Sequence, residues 1–366
     1  MIQPESPVVS LEKVEALRNS ISDLFLVGDT TLDNPHEGYV RFRGRFLQEP
    51  IDCFDTLRQR FEAHGFTPLI REETAHRVAL IGLPTVIKPT DSNWIINLIL
   101  FIATILATLF TGASNEGSLN ILEGWPFSLS IMAILTAHEF GHYFAARYHK
   151  VPVSLPYFIP LPFLSIIGTL GAFIRLKAPA KNKRVLLDIG VAGPLAGLAV
   201  AIPVLLYGLA TSDVGPMPTE PYLLEGNSIL YLGMKVLVFG QILPGNGLDV
   251  SLNQVAWAGW VGLLITSLNL IPVGQLDGGH VTYVLFGKKA KQFYWPVIIA
   301  LAILAALTQT LTWVIWIGML YFLGRVHAEP LDDVTSLDPR RRLIAIITFV
   351  IFFLTFVPIP IQFISP

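Results

Sequence analysis

Hydrophobic spacing along the chain changes character near residue 90. Before that point apolar residues recur at short intervals among charged ones. Leu11, Val14, Leu17, Ile21, Leu24 and Phe25 fit one face of an amphipathic helix. Val40, Phe42 and Phe46 alternate with Arg41, Arg43 and Arg45, the two-residue period of a strand with one basic face. Ile51, Phe54, Leu57 and Phe61 predict a second helix. Two more strands, near 66–71 and 77–83, flank the polar turn Glu72-Glu73-Thr74. Residues 1–90 therefore read as a small α+β soluble domain, closed by a linker that holds Pro84 and Pro89. Its arginine face reads as a solvated strand face, with anionic lipid or a partner as the other use.

Beyond residue 91 charge disappears for long stretches. Trp94–Ala113 is twenty uncharged residues, enough to cross a hydrocarbon core of ~30 Å. Trp125–Tyr148, Val185–Ala210 (broken only by Asp188 after its first turn) and Gln254–Val273 predict three further crossings. Phe293–Gly324 is uncharged over thirty-two residues, too many for one crossing, and Thr308-Gln-Thr-Leu-Thr312 is the natural turn between two. Leu343–Ile364 is the last. Between the second and third spans, Pro152, Pro156, Pro160 and Pro162 exclude a regular helix. The β-prone run 166–174 follows, and the pair predicts a re-entrant β-hairpin. The expected fold is a polytopic α-helical membrane domain over residues 91–366, with about seven transmembrane helices, behind the domain at 1–90.

Composition agrees with this pattern. Hydrophobic residues make up 52% of the chain and charged ones 14%, with mean hydropathy +0.58, which excludes an ordinary soluble globule. The formal net charge of -2 gives no field that would attract nucleic acid, and no nucleic-acid partner is expected. Cys53 is the single cysteine, so neither an intrachain disulfide nor a thiolate metal site is available. Met1-Ile-Gln-Pro-Glu-Ser6 lacks a basic segment before an apolar core and is too acidic for a transit peptide, so no leader is expected there. Lysine and arginine cluster on alternate loops. Arg147 and Lys150, then Lys177, Lys181, Lys183 and Arg184, then Lys288, Lys289 and Lys291, then Arg325 and Arg340–Arg342 all fall on one side. The opposite loops, 114–124 and 211–253, hold only Lys235. The first group and the N-terminal domain are expected to face the cytoplasm.

One apolar span carries chemistry. Ile134-Leu-Thr-Ala-His-Glu-Phe-Gly-His142 puts His138 and His142 four residues apart, on one helical face. Both can reach one tetrahedral metal, with Glu139 beside them to take a proton from a metal-bound water. Polar residues turned to solvent are the plainer reading, which weakens inside a membrane because ionisable groups there are costly. A catalytic zinc needs a third protein ligand. Asp277, in Asn269-Leu-Ile-Pro-Val-Gly-Gln-Leu-Asp-Gly-Gly-His280, lies at a matching depth. Asp188 is the rival, although it can instead satisfy a helix end or pair with Lys183 or Arg184. Pro272 and Gly278-Gly279 predict an interrupted helix whose backbone can approach a cofactor or substrate. Gly190, Gly193 and Gly197 predict close helix contact without a catalytic role. His280 reads as a helix-start residue or as a partner of a ligand.

With these motifs the chain resembles the site-2 protease family of intramembrane zinc metalloproteases. His138-Glu139-Phe-Gly-His142 and Asn269-x-x-Pro272-x-x-x-Leu276-Asp277-Gly278 carry the resemblance across residues 94–330, and Gly193-Pro-Leu-Ala-Gly197 is also familial. Tyr143, Ser154-Leu-Pro-Tyr-Phe158 and Gly168-Thr-Leu-Gly-Ala172 make it most similar to the cyanobacterial and plastid branch, and no segment reads as a PDZ domain. The resemblance implies Zn²⁺ on His138, His142 and Asp277 and Glu139 as general base. It further implies Asn269 holding substrate backbone or the developing oxyanion, and a catalytic core at about 125–285. The implied substrates are membrane-anchored proteins. The implied location is a bacterial cell membrane or a thylakoid or plastid membrane, with the active site near the cytoplasmic side. Two other classes compete: a membrane metal transporter using the same ligands, and a catalytically silent membrane scaffold. A carboxylate beside the first histidine serves hydrolysis and neither of these.

Overall fold

The computed structural model describes residues 9–74, 77–115, 117–163 and 165–365. The reading that Met1–Ser6 carries no leader falls outside them. The chain divides into two compact units, one built from residues 1–90, 177–186 and 329–338 and the other from the remainder.

In the first unit, α1 (Leu11–Ser20) and α2 (Pro50–Ala63) pack on a sheet of β1 (Phe25–Leu32), β2 (Val40–Phe46), β3 (Thr67–Thr74) and β4 (Arg77–Leu83). The strand order is β1-β2-β4-β3, antiparallel throughout. Ser10 caps α1, its hydroxyl accepting from Lys13 N at 3.4 Å. The predicted first helix ends earlier than its apolar spacing implied, and Phe25 instead opens β1. That strand escapes a periodicity search because Gly28 and the polar run Asp29–Thr31 interrupt its alternation, at the point where the β1–β2 register shifts. Arg43 pairs with Asp29 (2.7 Å) and Glu73 (3.1 Å), and Arg41 lies 3.7 Å from Glu73, so much of the basic face is neutralised within the sheet. The sheet continues past β3. Ile70 N donates to Leu331 O (2.8 Å) and Asp333 N to Ile70 O (3.1 Å), while Leu331 and Asp332 N donate to Ala180 and Lys181 O, each at 2.9 Å. Leu331 is buried with Phe54, Leu57, Phe61 and Ile70 in this unit's core.

The second unit is largely helical. Its elements are α3 (Trp94–Asn115), α4 (Trp125–Tyr148), β5 (Tyr157–Pro160), β6 (Thr169–Phe173), α5 (Lys183–Ala210), β7 (Asp213–Pro216), β8 (Tyr222–Glu225), α6 (Ile229–Phe239), β9 (Leu248–Ser251), α7 (Gln254–Asn269), α8 (Asp277–Phe286), α9 (Tyr294–Thr308), α10 (Leu311–Leu323), α11 (Pro339–Thr355) and β10 (Ile361–Ile364). Among the described residues three helical stretches are long and apolar enough to cross a membrane: Trp94–Asn115, Lys183–Ala210 and Asp277–Thr308. Large apolar side chains point outward along α3 (Ile95, Ile99, Ile102) and α9 (Trp295, Ile299, Ile303), an exterior suited to lipid rather than water. The turn predicted between the fifth and sixth crossings is present, with Gln309 at φ +55° between α9 and α10.

Close backbone contact holds the centre together. A Cβ on Gly259 or Gly208 would run into the backbone of Leu205 or Ala256, so α5 and α7 touch along these glycines. Phe127, Ile131 and Leu135 of α4 share a buried core with Trp260 and Leu264 of α7. The proline-bearing segment before β5 is tied to α3 by Asn97, whose amide donates to the carbonyls of Leu155 and Pro156, both at 2.9 Å. β5 and β6 then form an antiparallel hairpin with Phe158 opposite Ala172.

Candidate metal centre

α4 has helical spacing through its polar insert, so His138, Glu139 and His142 lie in adjoining turns, and all three are buried. Asp277 reaches them from elsewhere in the chain. α7 ends at Asn269, residues 270–276 turn, and α8 begins at Asp277. Its position in the first helical turn places the carboxylate where unpaired backbone N–H groups favour an anion. Gly278 and Gly279 make this turn possible: a Cβ on either would strike the carbonyls of Leu270 to Gly274. The predicted interruption is therefore present, and its glycines lie against the carbonyls of their own turn.

The donor atoms form a nearly equilateral triangle. His138 Nε2 and His142 Nε2 are 3.2 Å apart, and each lies 3.3 Å from Asp277 Oδ2. Donors held at ~2.0–2.1 Å by one tetrahedral zinc stand about 3.3 Å from each other. His142 Nδ1 donates to the Ile189 carbonyl at 2.7 Å, which leaves the Nε2 lone pair facing the triangle. With Nδ1 engaged, Nε2 and the carboxylate oxygen face each other at 3.3 Å, where one cation can be shared between them. By distance and by donor chemistry the residues fit zinc.

The surroundings suit hydrolysis. Glu139 Oε2 is sealed and has no hydrogen-bond partner. It borders a cavity of about 200 Å³ that Asn269, Gln275 and His280 also line, with Ala172–Ile174 of the β6 segment as another wall. The glycines of α5 lie against the imidazoles themselves. A Cβ on Gly193 would overlap the ring of His142, one on Gly197 would stand 3.1 Å from His138 Nδ1, and one on Gly190 3.1 Å from His280 Cβ. Sequence reasoning assigned these glycines to helix packing alone. Their spacing, three and then four residues, was the available signal that one face of α5 must lie flush against the site. The Ile189 carbonyl had no sequence signal.

The rival ligand is accounted for elsewhere. Asp188 accepts from Arg341 Nε (2.8 Å) and Nη2 (2.6 Å), and its Oδ2 lies 2.8 Å from His149 Nε2. Its partners come from α11 and the end of α4, not from Lys183 or Arg184.

Three side chains that could hold one metal ion, beside a buried carboxylate and among apolar helices, are the arrangement a membrane-embedded metallopeptidase requires. Residues 126–308, half of the chain, match Peptidase family M50, and the chain belongs to that family. Curated relatives agree. It is 27% identical over 380 residues to "Probable zinc metalloprotease EGY2, chloroplastic" of Oryza sativa subsp. indica, covering 98% of this chain and 68% of that protein. The Arabidopsis thaliana EGY2 protein is 28% identical over 96% of this chain and 66% of its own length, and Arabidopsis EGY1 31% identical over 64% and 43%. The chain spans about two thirds of the EGY2 proteins and less than half of EGY1. No solved structure matches it. Membership of that peptidase family, with relatives named as zinc metalloproteases, favours hydrolysis over the transport and scaffold readings.

Proposed function

We propose that the protein cuts membrane-anchored proteins within or near their transmembrane segments, using His138, His142 and Asp277 as zinc ligands and Glu139 as general base. The observation that carries this reading is the 3.2–3.3 Å triangle of donor atoms beside a buried carboxylate whose Oε2 has no hydrogen-bond partner. Zinc, when bound, lowers the pKa of a water and polarises a carbonyl. Glu139 takes the proton of the attacking water and returns it to the leaving nitrogen. Asn269, lining the same cavity, holds the substrate backbone.

A transmembrane helix hides its carbonyls in internal hydrogen bonds, so substrate must unwind before cleavage. The β5–β6 hairpin supports such a step. It is two-stranded, so β6 has an edge free of β5, and the segment 172–174 at its end borders the cavity. We read this hairpin as re-entrant and the helices as seven crossings, with the centre near the cytoplasmic face. The chloroplastic relatives support a plastid or thylakoid membrane, and a bacterial cell membrane serves the same topology.

The test is zinc content together with cleavage of a membrane-anchored reporter by purified protein in detergent. Wild type holds one zinc per chain and cuts. Glu139→Gln is expected to hold zinc and not cut, whereas Asp277→Asn loses both. Normal cleavage by Glu139→Gln overturns the assigned base.

A further inference from the structure

His280 has no role in the assignments above, yet it lines the metal cavity. It lies three residues beyond Asp277 on α8, so the two side chains project from one helical face with their Cβ atoms roughly 5–6 Å apart. Gly190 of α5 makes room for it, since a Cβ there would stand 3.1 Å from His280 Cβ and 3.6 Å from its Cδ2. Glu139 neighbours a different wall, the β6 segment at Ile174. The base and this third imidazole therefore approach the cavity from different elements.

The two nitrogens of His280 are not equivalent. Nδ1 is sealed and has no hydrogen-bond partner. A buried N–H without an acceptor is rarer and more costly than a buried bare lone pair, so a neutral ring keeps its proton on the other nitrogen. Resting on the hydrolase reading, we propose that His280 is a further catalytic residue, whose Nε2–H faces the cavity and donates to the scissile carbonyl oxygen as negative charge develops there. Glu139 manages the proton of the attacking water on one side, and His280 stabilises the oxygen on the other. Such a donor acts mainly in the transition state, so its loss lowers kcat more than it raises KM.

The experiment compares wild type, His280→Phe, His280→Gln and Glu139→Gln as full-length protein in detergent. Zinc per chain, chelator competition for zinc, and kcat and KM on a membrane-anchored reporter are measured. His280→Phe, which keeps a ring and removes the donor, is expected to hold zinc with unchanged competition and an unchanged KM. Its kcat should fall about 10²–10³-fold. His280→Gln restores an N–H donor and should recover part of that loss. Two results overturn the proposal: an unchanged kcat in both His280 variants, or zinc affinity weakened ~10–100-fold, the signature of a residue that only orients ligands. If His280→Phe does not fold, His280→Gln decides alone: a kcat below wild type but lowered less than about 10²-fold, with unchanged zinc competition, supports the donor role, and an unchanged kcat or weakened zinc binding overturns it. An inactive Glu139→Gln with a normal His280→Phe sinks this inference only. Normal cleavage by Glu139→Gln sinks the hydrolase assignment beneath it.

Discussion

Gly193 of α5 lies so close to the His142 ring that a methyl group in its place would overlap the imidazole. The same helix supplies the Ile189 carbonyl that receives His142 Nδ1–H at 2.7 Å. One helix face thus sets the position of His142 and fixes a proton on its Nδ1.

Gly193→Ala should therefore displace His142 from the triangle and weaken zinc binding at least ~10-fold, the lower end of effects seen when a ligand's support is disturbed. Gly233 in α6 is the control, because a Cβ there meets nothing within 4 Å. Gly233→Ala should keep full zinc and gain up to about 1 kcal/mol of stability from helix propensity. Chelator competition and thermal unfolding in detergent separate the two outcomes. Equal zinc affinity in both variants would show that α5 does not position the ligand.

Asp188 gives a second prediction. Its carboxylate is committed to Arg341 and His149, and its side chain retains 23% exposure. Asp188→Asn should leave zinc stoichiometry unchanged and cost about 1 kcal/mol, since part-exposed ion pairs contribute modestly. Loss of zinc in this variant would return Asp188 to the ligand set.

How much of this was legible beforehand differs by element. His138, Glu139 and His142 share a short helical spacing, and Asp277 lies in a motif with its own turn residues, so their convergence could be expected from sequence. The predicted break after span four and the turn near Gln309 depend on proline, glycine and a polar tract, which act locally. β1 was missed because Gly28 and a bulge erase its two-residue period. Leu331 was not legible as a core residue at all. Its burial comes from a backbone ladder with Ile70 and Ala180, and main-chain pairing between distant segments leaves no periodic trace.

That ladder makes the first unit dependent on residues outside 1–90. Leu331 is 2% exposed, and truncating a buried leucine costs about 2–5 kcal/mol. Leu331→Ala should lower the unfolding temperature of this unit. An isolated fragment of residues 1–90 should exchange the β3 amides, Ile70 N among them, much faster than the full chain. Equal protection of Ile70 in the two would show that segment 329–338 adds nothing.

Lys235 and Glu225 form a buried pair away from the metal centre. Lys235 is fully buried, with Nζ 3.7 Å from Glu225 Oε1 and 4.5 Å from the centroid of the Tyr231 ring. Tyr231 OH donates to the same carboxylate at 2.9 Å, and Asp249 adds a further negative charge nearby. The eleven residues of α6 are too few to cross a bilayer. Burial pushes the Glu225 carboxyl above its ordinary range, and the Lys235 charge partly restrains it. Burial pushes the Lys235 amine down. A carboxyl raised in the fold contributes stability below its unfolded pKa, and that contribution is lost as pH rises through the folded value. Lys235→Met removes the restraint, so Glu225 should rise further and the variant should lose more stability than wild type between pH 5 and pH 8. At neutral pH the single substitution should cost on the order of 3 kcal/mol, because it strands a buried charge. Glu225→Gln with Lys235→Met should recover most of that loss and show a flatter pH dependence. Thermal unfolding in detergent across this range checks the sign, and a Lys235→Met variant that gains stability toward pH 8 would contradict the pairing.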